Sequence, residues 1–193
     1  MQQSTTYAVT ETSLTQSWPQ FSAAILALIN TLGLDTELTC DHVALRVNSH
    51  QNADMLSQYF ARQGQVISNN MINGRPILII KLNQSLNLGH LQINCVELPY
   101  PGEKSYPQQG WEHIELVFKS TATSCQQLAD ELITYYPHLA DVIAGKTTIK
   151  VKMSSPQGEH ERLANPTIAF KQDGLCIKIH THTIEAIIAS EQA

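Results

Sequence analysis

Two stretches of this 193-residue chain share one pattern, DHVALRV at residues 41–47 and EHIELVF at residues 112–118. Apolar and other residues alternate along most of both, and a period of two is typical of a β-strand with one buried face. Each stretch has a histidine in its second position, His42 in the first and His113 in the second. A pattern that returns within one chain indicates an internal repeat. The sequence therefore predicts two copies of one module, each opened by one of these strands.

The same order of elements is predicted after both stretches. The first copy is predicted to contain a strand at residues 40–47, a helix at 51–63 and three more strands at 65–68, 75–82 and 91–98. A tight turn is predicted at residues 69–74. The second copy is predicted to contain a strand at residues 111–118, a helix at 122–136 and three strands at 147–153, 167–171 and 175–180. A short helix at residues 184–190 is predicted to end it.

The division of the chain follows from these elements. Residues 1–35 form an N-terminal segment and helix, in which the polar residues 1–15 are expected to fray and the helical pattern begins at Trp18. The first module occupies residues 36–98 and the second occupies residues 111–193. Residues 99–110 between them contain three prolines and two glycines, so they are predicted to be a connector.

Composition excludes several classes of protein. Apolar residues make up 42% of the chain and charged residues 15%, which excludes a disordered chain. The net charge of -5, without a basic stripe, argues against nucleic-acid binding. The longest strictly apolar run, residues 23–29, is far shorter than a membrane span, and no signal peptide is visible. The four cysteines lie far apart, which is typical of a reduced, cytoplasmic protein.

An α+β architecture with a cleft is the fold that these elements favour. One face of each four-stranded sheet is expected to be covered by the module's helix. The other face must be buried or functional, and pairing the helix-free faces of the two modules produces a cleft between them. Concave clefts of this kind are the usual sites for small ligands, so the sequence predicts a small-molecule partner there.

Three stretches resemble the YecM-like proteins, a branch of the vicinal oxygen chelate superfamily with the glyoxalase fold. They are NNMINGRPI at 69–77, VELPYPGEKSYPQQGWEHIE at 96–115 and SSPQGEHERLANPT at 154–167. The resemblance extends over about residues 15–192 and implies two βαβββ modules paired around a cleft. In the superfamily, the first and fourth strands of each module supply metal ligands. Carried over to this chain, these positions hold His42, Glu97, His113 and His180, and the last departs from the glutamate most common there.

The resemblance implies a divalent metal ion, with zinc, iron, nickel and manganese all suited to imidazole and carboxylate ligands. A metal with open positions would bind a substrate through two neighbouring oxygens, as in a metal-dependent isomerase, lyase or dioxygenase. Without His180, two histidines and one carboxylate would resemble the facial triad of iron oxygenases. Two alternatives remain open: a metal-free protein that binds a small molecule in the same cleft, and an interaction protein that forms a homodimer.

Further residues are expected to support the chemistry. Arg46 shares a predicted strand face with His42 and is a candidate for binding a substrate carboxylate, unless it pairs with an acidic neighbour. Glu115 shares a face with His113 and is a candidate for orienting that histidine or moving a proton, unless it faces water. Glu159, His160 and Arg162 lie in a charged loop that either closes over the substrate as a lid or is a solvated turn.

Overall fold

An N-terminal helix precedes one mixed eight-stranded sheet. The computed structural model of the protein describes residues 8–34, 38–72, 74–155 and 163–191. Its elements, in chain order, are α1 (Glu11–Thr31), β1 (Thr39–Arg46), α2 (His50–Gln63), β2 (Gly64–Ile72), β3 (Arg75–Leu88), β4 (Leu91–Pro99), β5 (Gly110–Val117), α3 (Cys125–Tyr135), α4 (Leu139–Ile143), β6 (Lys150–Ser154), β7 (Thr167–Gln172), β8 (Leu175–His180) and α5 (Ile184–Glu191).

The predicted βαβββ repeat is confirmed by the order of the strands. The first module comprises β1, α2 and β2–β4, and the second comprises β5, α3 and β6–β8, with α4 as an addition that the sequence did not predict. The order across the sheet is β2-β3-β4-β1-β5-β8-β7-β6, so the modules meet edge to edge where β1 pairs antiparallel with β5. Within the modules β1 pairs parallel with β4, and β5 pairs parallel with β8. The fold is therefore the predicted glyoxalase arrangement.

Helix α1 begins earlier than the apolar spacing predicted. Its N-cap is Thr10, whose side chain accepts a hydrogen bond from the backbone of Ser13, while the Ser13 hydroxyl accepts one from the backbone of Thr10. This reciprocal cap stabilises a first turn that the polar composition had suggested would fray. Leu14 is buried, which anchors the extra turns. No helix within the described parts of the chain is both long and apolar enough to cross a membrane.

The hairpin of β2 and β3 is also longer than predicted. Residues 69–72, expected to form a turn, continue β2, and they pair with residues 75–78 of β3. The reversal takes place next to Gly74, whose φ of 75° is accessible to glycine without strain. Gly64 ends α2 as predicted and begins β2 opposite Leu82, where a Cβ atom would stand 2.1 Å from the carbonyl oxygen of Lys81.

The sheet has a helix-covered face and a cleft face. Helix α2 contacts β2, β3 and β4, α1 contacts β5 and β8, and α3 packs on β7. On the opposite face α5 covers part of the first module, where Ile188 packs with Ile77, Ile79 and Cys95. The remainder of that face is a cavity of about 490 Å³ lined by both modules. Its walls include residues of β3 and of β6, which are far apart in the strand order, so the sheet curves around this space.

Candidate metal centre

Three buried side chains meet at the centre of the cleft, where the two modules join. His42 lies on β1, and His113 and Glu115 lie on the neighbouring strand β5. Glu115 Oε1 is 3.0 Å from His113 Nε2 and 3.5 Å from His42 Nε2. One nitrogen or oxygen atom from each residue lies within 4.8 Å of the other two. The strand register explains this proximity, because His42 pairs directly with Glu115 and His113 stands two residues away on the same face.

Two β-bulges place an acidic side chain beside each histidine. Between Cys40 and His42, β1 advances by two residues while β5 advances by one, so Asp41 is the extra residue. The mirror-image irregularity in β5 makes Glu112 the extra residue. A bulge turns its extra side chain away from the strict alternation of the strand. Asp41 therefore contacts His42 Nδ1 at 3.0 Å, and Glu112 contacts His113 Nδ1.

These contacts fix the orientation of both imidazole rings. When Nδ1 carries the proton and donates it to a carboxylate, Nε2 is left with the lone pair that binds a metal. In both residues Nε2 is the nitrogen nearer Glu115. His42 Nε2 is fully buried and has no hydrogen-bond partner among the described residues. A buried polar atom without a partner is costly, and a cation at this point would satisfy it.

Arg46 supports the second of the two bulges. Its guanidinium donates a hydrogen bond to Glu112 Oε1, and the other oxygen of Glu112 contacts His113. The ring of Tyr106, in the connector between the modules, stacks on the guanidinium with 4.0 Å between the guanidinium carbon and the ring centroid. The alternative in which Arg46 pairs with an acidic neighbour is thus the one that the structure contains.

Mutual charge stabilisation sets the protonation of the site. Burial by itself lowers the pKa of His42, but the charge of Glu115 and the hydrogen bond with Asp41 raise it well above its ordinary value. Burial and the charge of Lys178 lower the pKa of His113, yet the carboxylates of Glu112 and Glu115 produce a net rise. Burial raises the pKa of Glu115, and the Lys178 and histidine charges outweigh this and hold it well below the usual range. The cluster therefore strongly favours an added positive charge, whether a proton or a metal ion.

The donor set fits a first-row divalent metal. Ligand atoms with bonds of about 2.1 Å stand roughly 3 to 3.5 Å apart around one ion. The separations of 3.0 and 3.5 Å between Glu115 and the two histidines fall in this range. Two imidazoles and one carboxylate are also the donors that zinc, iron, nickel and manganese accept.

The remaining predicted ligands border the cluster. Glu97 Oε2 is 3.6 Å from His42 Nε2, and Glu97 is not part of the group of three. His180 is buried with its Nε2 3.6 Å from Asp41 and its Nδ1 3.8 Å from Glu115, and Asn165 lies 3.1 Å from Nδ1. The predicted lid residues Glu159, His160 and Arg162 lie outside the described residues.

Lys178 is a cleft residue that the sequence reasoning missed. Its Nζ donates to Glu115 Oε1 at 2.6 Å. It stands opposite Glu115 in the register of β5 and β8, as Glu97 stands opposite Ala44 in β1 and β4. Ala44 and Glu115 each lie two residues after the histidine of their own strand, so Lys178, rather than His180, is the internal counterpart of Glu97. Aligning the fourth strands by register instead of by their ends would have identified it.

The comparisons with known proteins extend over both modules and α1. The family model described as YecM protein matches residues 10–191. Protein YecM of Escherichia coli is 44% identical over 176 residues, which cover 91% of this chain and 90% of that protein. An uncharacterized protein of Haemophilus influenzae is 32% identical over 181 residues, which cover 90% of this chain and 91% of that protein. The solved structure described as "Structural Genomics, Protein EC4020" has a TM-score of 0.75 and 37% identity, covering 94% of this chain and 92% of that one.

Proposed function

Because this chain belongs to the YecM family and carries the donor cluster just described, we propose that it is a metal-dependent enzyme acting on a small oxygen-rich molecule. The observation that carries the proposal is the pair of bulges, which direct Nε2 of both histidines toward Glu115. We assign His42, His113 and Glu115 as the protein ligands of one divalent ion. Three protein ligands leave positions open for a substrate, as catalytic metal sites require.

Each group around the cluster has a role in this proposal. A bound metal supplies Lewis acidity, which polarises two neighbouring oxygens of the substrate. Asp41 and Glu112 hold the Nδ1 protons of the two histidines, so that Nε2 is the nitrogen that would bind the metal in exchange for a proton, and Arg46 holds Glu112 in place. Glu97, which reaches only one of the two ligand histidines, accepts a proton from the substrate and returns it. This arrangement exchanges the roles expected for Glu97 and Glu115 from the sequence.

Proton transfer next to chelated oxygens favours an isomerase or lyase. A carboxylate held ionised beside the site can act as the base, and the pKa of Glu97 is low because the His42 contact and the nearby positive charges outweigh the effect of its burial. Two histidines and one carboxylate also form the ligand set of iron oxygenases, so bound iron would instead indicate a dioxygenase.

A metal-free binding protein is the second candidate, and one contact favours it. Lys178 already places an ammonium group 2.6 Å from Glu115, so the carboxylate has a cation without a metal. In that case the two histidines would bind a ligand by hydrogen bonds alone.

Metal analysis of the untagged protein separates the two candidates. We expect about one equivalent of zinc, iron, nickel or manganese in the parent, and none in a folded His42→Ala/His113→Ala double variant. His90→Ala, which removes an exposed histidine outside the cleft, is the matched control and should retain the metal. A parent that contains no metal and takes up none on reconstitution would establish the metal-free alternative. Circular dichroism of each variant shows whether it is folded.

A further inference from the structure

Four residues form a straight row across the cleft face of the second module. Glu115 on β5 pairs with Lys178 on β8, Lys178 pairs with Ala169 on β7, and Ala169 pairs with Lys152 on β6. Residues in register on neighbouring strands are about 5 Å apart and point to the same side of a sheet. The row therefore leads from the metal cluster outward along the second-module wall of the cavity.

Ala169 makes a recess in this row that is surrounded by lysines. Lys152 and Lys178 stand on either side of it, and Lys171 lies two residues further along β7, on the same face. All four residues line the cavity. A methyl side chain between longer ones leaves a depression, and the neighbouring lysines make its surroundings positive, although the ammonium group of Lys178 is bound to Glu115.

Two of these lysines have no acidic partner within the part of the chain that the structure describes. Lys178 is bound to Glu115, whereas Lys152 and Lys171 are exposed and form no salt bridge with a described residue. Among the residues that the structure describes, five lysine and arginine residues line this cavity, against three acidic residues. The basic residues of the cavity therefore outnumber its acidic ones, whereas the chain as a whole has a net charge of -5.

The described residues of the first module form no such recess. The equivalent row there runs from Ala44 through Glu97 and Ile79 to Ser68. Ile79 fills the position of Ala169, and Ile188 of α5 packs against the same cluster. The two rows therefore differ: Ile79 and the nearby helix α5 fill the first, whereas the second has the small side chain of Ala169 between two lysines.

We propose that the substrate carries a second anionic group, a carboxylate or a phosphate, which binds over Ala169 between Lys152, Lys171 and Lys178. The inference rests on the proposed function in that the chelating oxygens of the same molecule bind the metal. The distance along the row from Glu115 to Ala169 is two strand spacings, or about 10 Å. A molecule with its chelating end and its second anion separated by about three carbon atoms fits this span.

Three 2-oxo acids of matched chain length test the proposal by calorimetric titration of the zinc-loaded protein. 2-Oxoadipate ends in a carboxylate, 2-oxo-5-phosphonopentanoate in a phosphonate, and 2-oxohexanoate in a methyl group. We expect at least one of the two distal anions to increase affinity about tenfold or more over 2-oxohexanoate, since hydrogen bonds to charged groups are strong. Tighter binding of 2-oxoadipate would indicate a carboxylate site, and tighter binding of 2-oxo-5-phosphonopentanoate would indicate a phosphate site.

Two variants connect the preference to the recess. Lys152→Gln/Lys171→Gln removes the two charges that form no salt bridge with a described residue, and Ala169→Leu fills the recess without changing any charge. In both variants, we expect the affinity for the acid with a distal anion, divided by the affinity for 2-oxohexanoate, to fall to nearly one. The zinc stoichiometry should stay unchanged. Lys119→Gln, an exposed lysine outside the cleft, is the control and should keep the preference. Equal affinity of all three acids in the parent, or a preference that survives in the lysine double variant, would overturn the proposal.

Adipate titrated into the metal-free protein separates failure of this inference from failure of the proposed function. It carries the anion without the chelating oxo acid, so it needs no metal. Tighter binding by the parent than by the lysine double variant supports the recess even if no zinc binds. Normal zinc binding without any effect of the lysines would leave the metal centre in place and contradict the recess.

Discussion

Asp41 and Glu112 occupy equivalent β-bulges in the two modules, each directly before a cleft histidine and each in contact with Nδ1 of that histidine. The duplication has kept both the ring and the group that orients it. Because the two strands are antiparallel neighbours at the centre of the sheet, the two bulges lie on either side of the histidine pair, one on each strand. The pair of oriented rings is therefore a property of the repeat, whereas Glu115 belongs to the second module alone and has Ala44 as its counterpart.

The bulge carboxylates are predicted to contribute to metal affinity without binding the ion. In Asp41→Asn or Glu112→Gln the Nδ1 contact loses its negative charge, so the imidazole becomes a weaker ligand. We expect each variant to bind metal about 10- to 100-fold more weakly than the parent. Competition with a chelator of known affinity measures this change. Unaltered affinity in both variants would show that the bulges have no part in metal binding.

The two cleft glutamates are predicted to respond differently to amide substitution. Glu115→Gln removes an assigned ligand, and we expect metal affinity to fall by about 100-fold or more. Glu97→Gln removes the proposed base, and we expect metal affinity to change by no more than about threefold. Titration of both variants with the same metal compares them directly. A greater loss of affinity in Glu97→Gln would restore the assignment that the family resemblance implied.

Lys178 is predicted to stabilise the protein mainly when no metal is bound. Lys178→Met leaves Glu115 buried without its ammonium partner, which we expect to lower the free energy of unfolding by about 2 kcal/mol. A bound divalent ion replaces the missing charge, so the loss should be smaller in the metal-loaded variant. Thermal unfolding of parent and variant with and without zinc tests this coupling. An equal loss in both conditions would mean that Lys178 and the metal act independently.

Glu112 is predicted to make stability depend on pH in the acid range. Burial raises the pKa of its carboxyl, but the His113 contact and the charge of Arg46 outweigh this and lower the pKa from 4.5 to about 2. A carboxyl group whose pKa is lower in the folded than in the unfolded protein stabilises the fold at pH values above its unfolded pKa. This stabilisation is lost as the pH falls from about 4.5 to 2. Glu112→Gln should therefore be about 3 kcal/mol less stable near neutral pH and should lose less stability in this window.

Urea unfolding of the metal-free protein between pH 5 and pH 2, at intervals of about half a pH unit, measures the slope of the free energy of unfolding against pH. Glu103→Gln, which changes an exposed glutamate in the connector, is the control and should keep the slope of the parent. Parallel slopes in the parent and in Glu112→Gln would contradict a lowered pKa.

The repeat and its topology were predictable because they depend on periodic residues. The alternation in residues 41–47 and 112–118 identified β1 and β5, and the spacing of apolar residues identified most of the other elements. The alternation did not predict the contacts of Asp41 and Glu112 with the histidines, since strict alternation assigns each carboxylate to the face opposite its histidine. A bulge depends on the pairing of two strands that lie far apart in the chain, and that register is not visible in either strand alone.

Pairing between distant strands also explains why Lys178 was missed. Its position opposite Glu115 follows from the parallel register of β5 and β8. From the sequence, the ligand position was instead assigned to the last residue of β8, which is His180. The early start of α1 has a different cause, because its polar first turn is stabilised by the Thr10 cap rather than by apolar contacts. The cap residues were in the sequence, but their polar surroundings favoured an unfolded segment.

Anomalous diffraction from crystals of the zinc-loaded protein, measured on both sides of the zinc absorption edge, would locate the ion and its ligands. We expect one strong peak in the cleft, within about 2.3 Å of Nε2 of His42, Nε2 of His113 and one oxygen of Glu115. We also expect that Lys178 Nζ no longer contacts that oxygen. A peak bound to other residues, or a cleft without a peak while Lys178 remains on Glu115, would contradict the assignment of a metal centre.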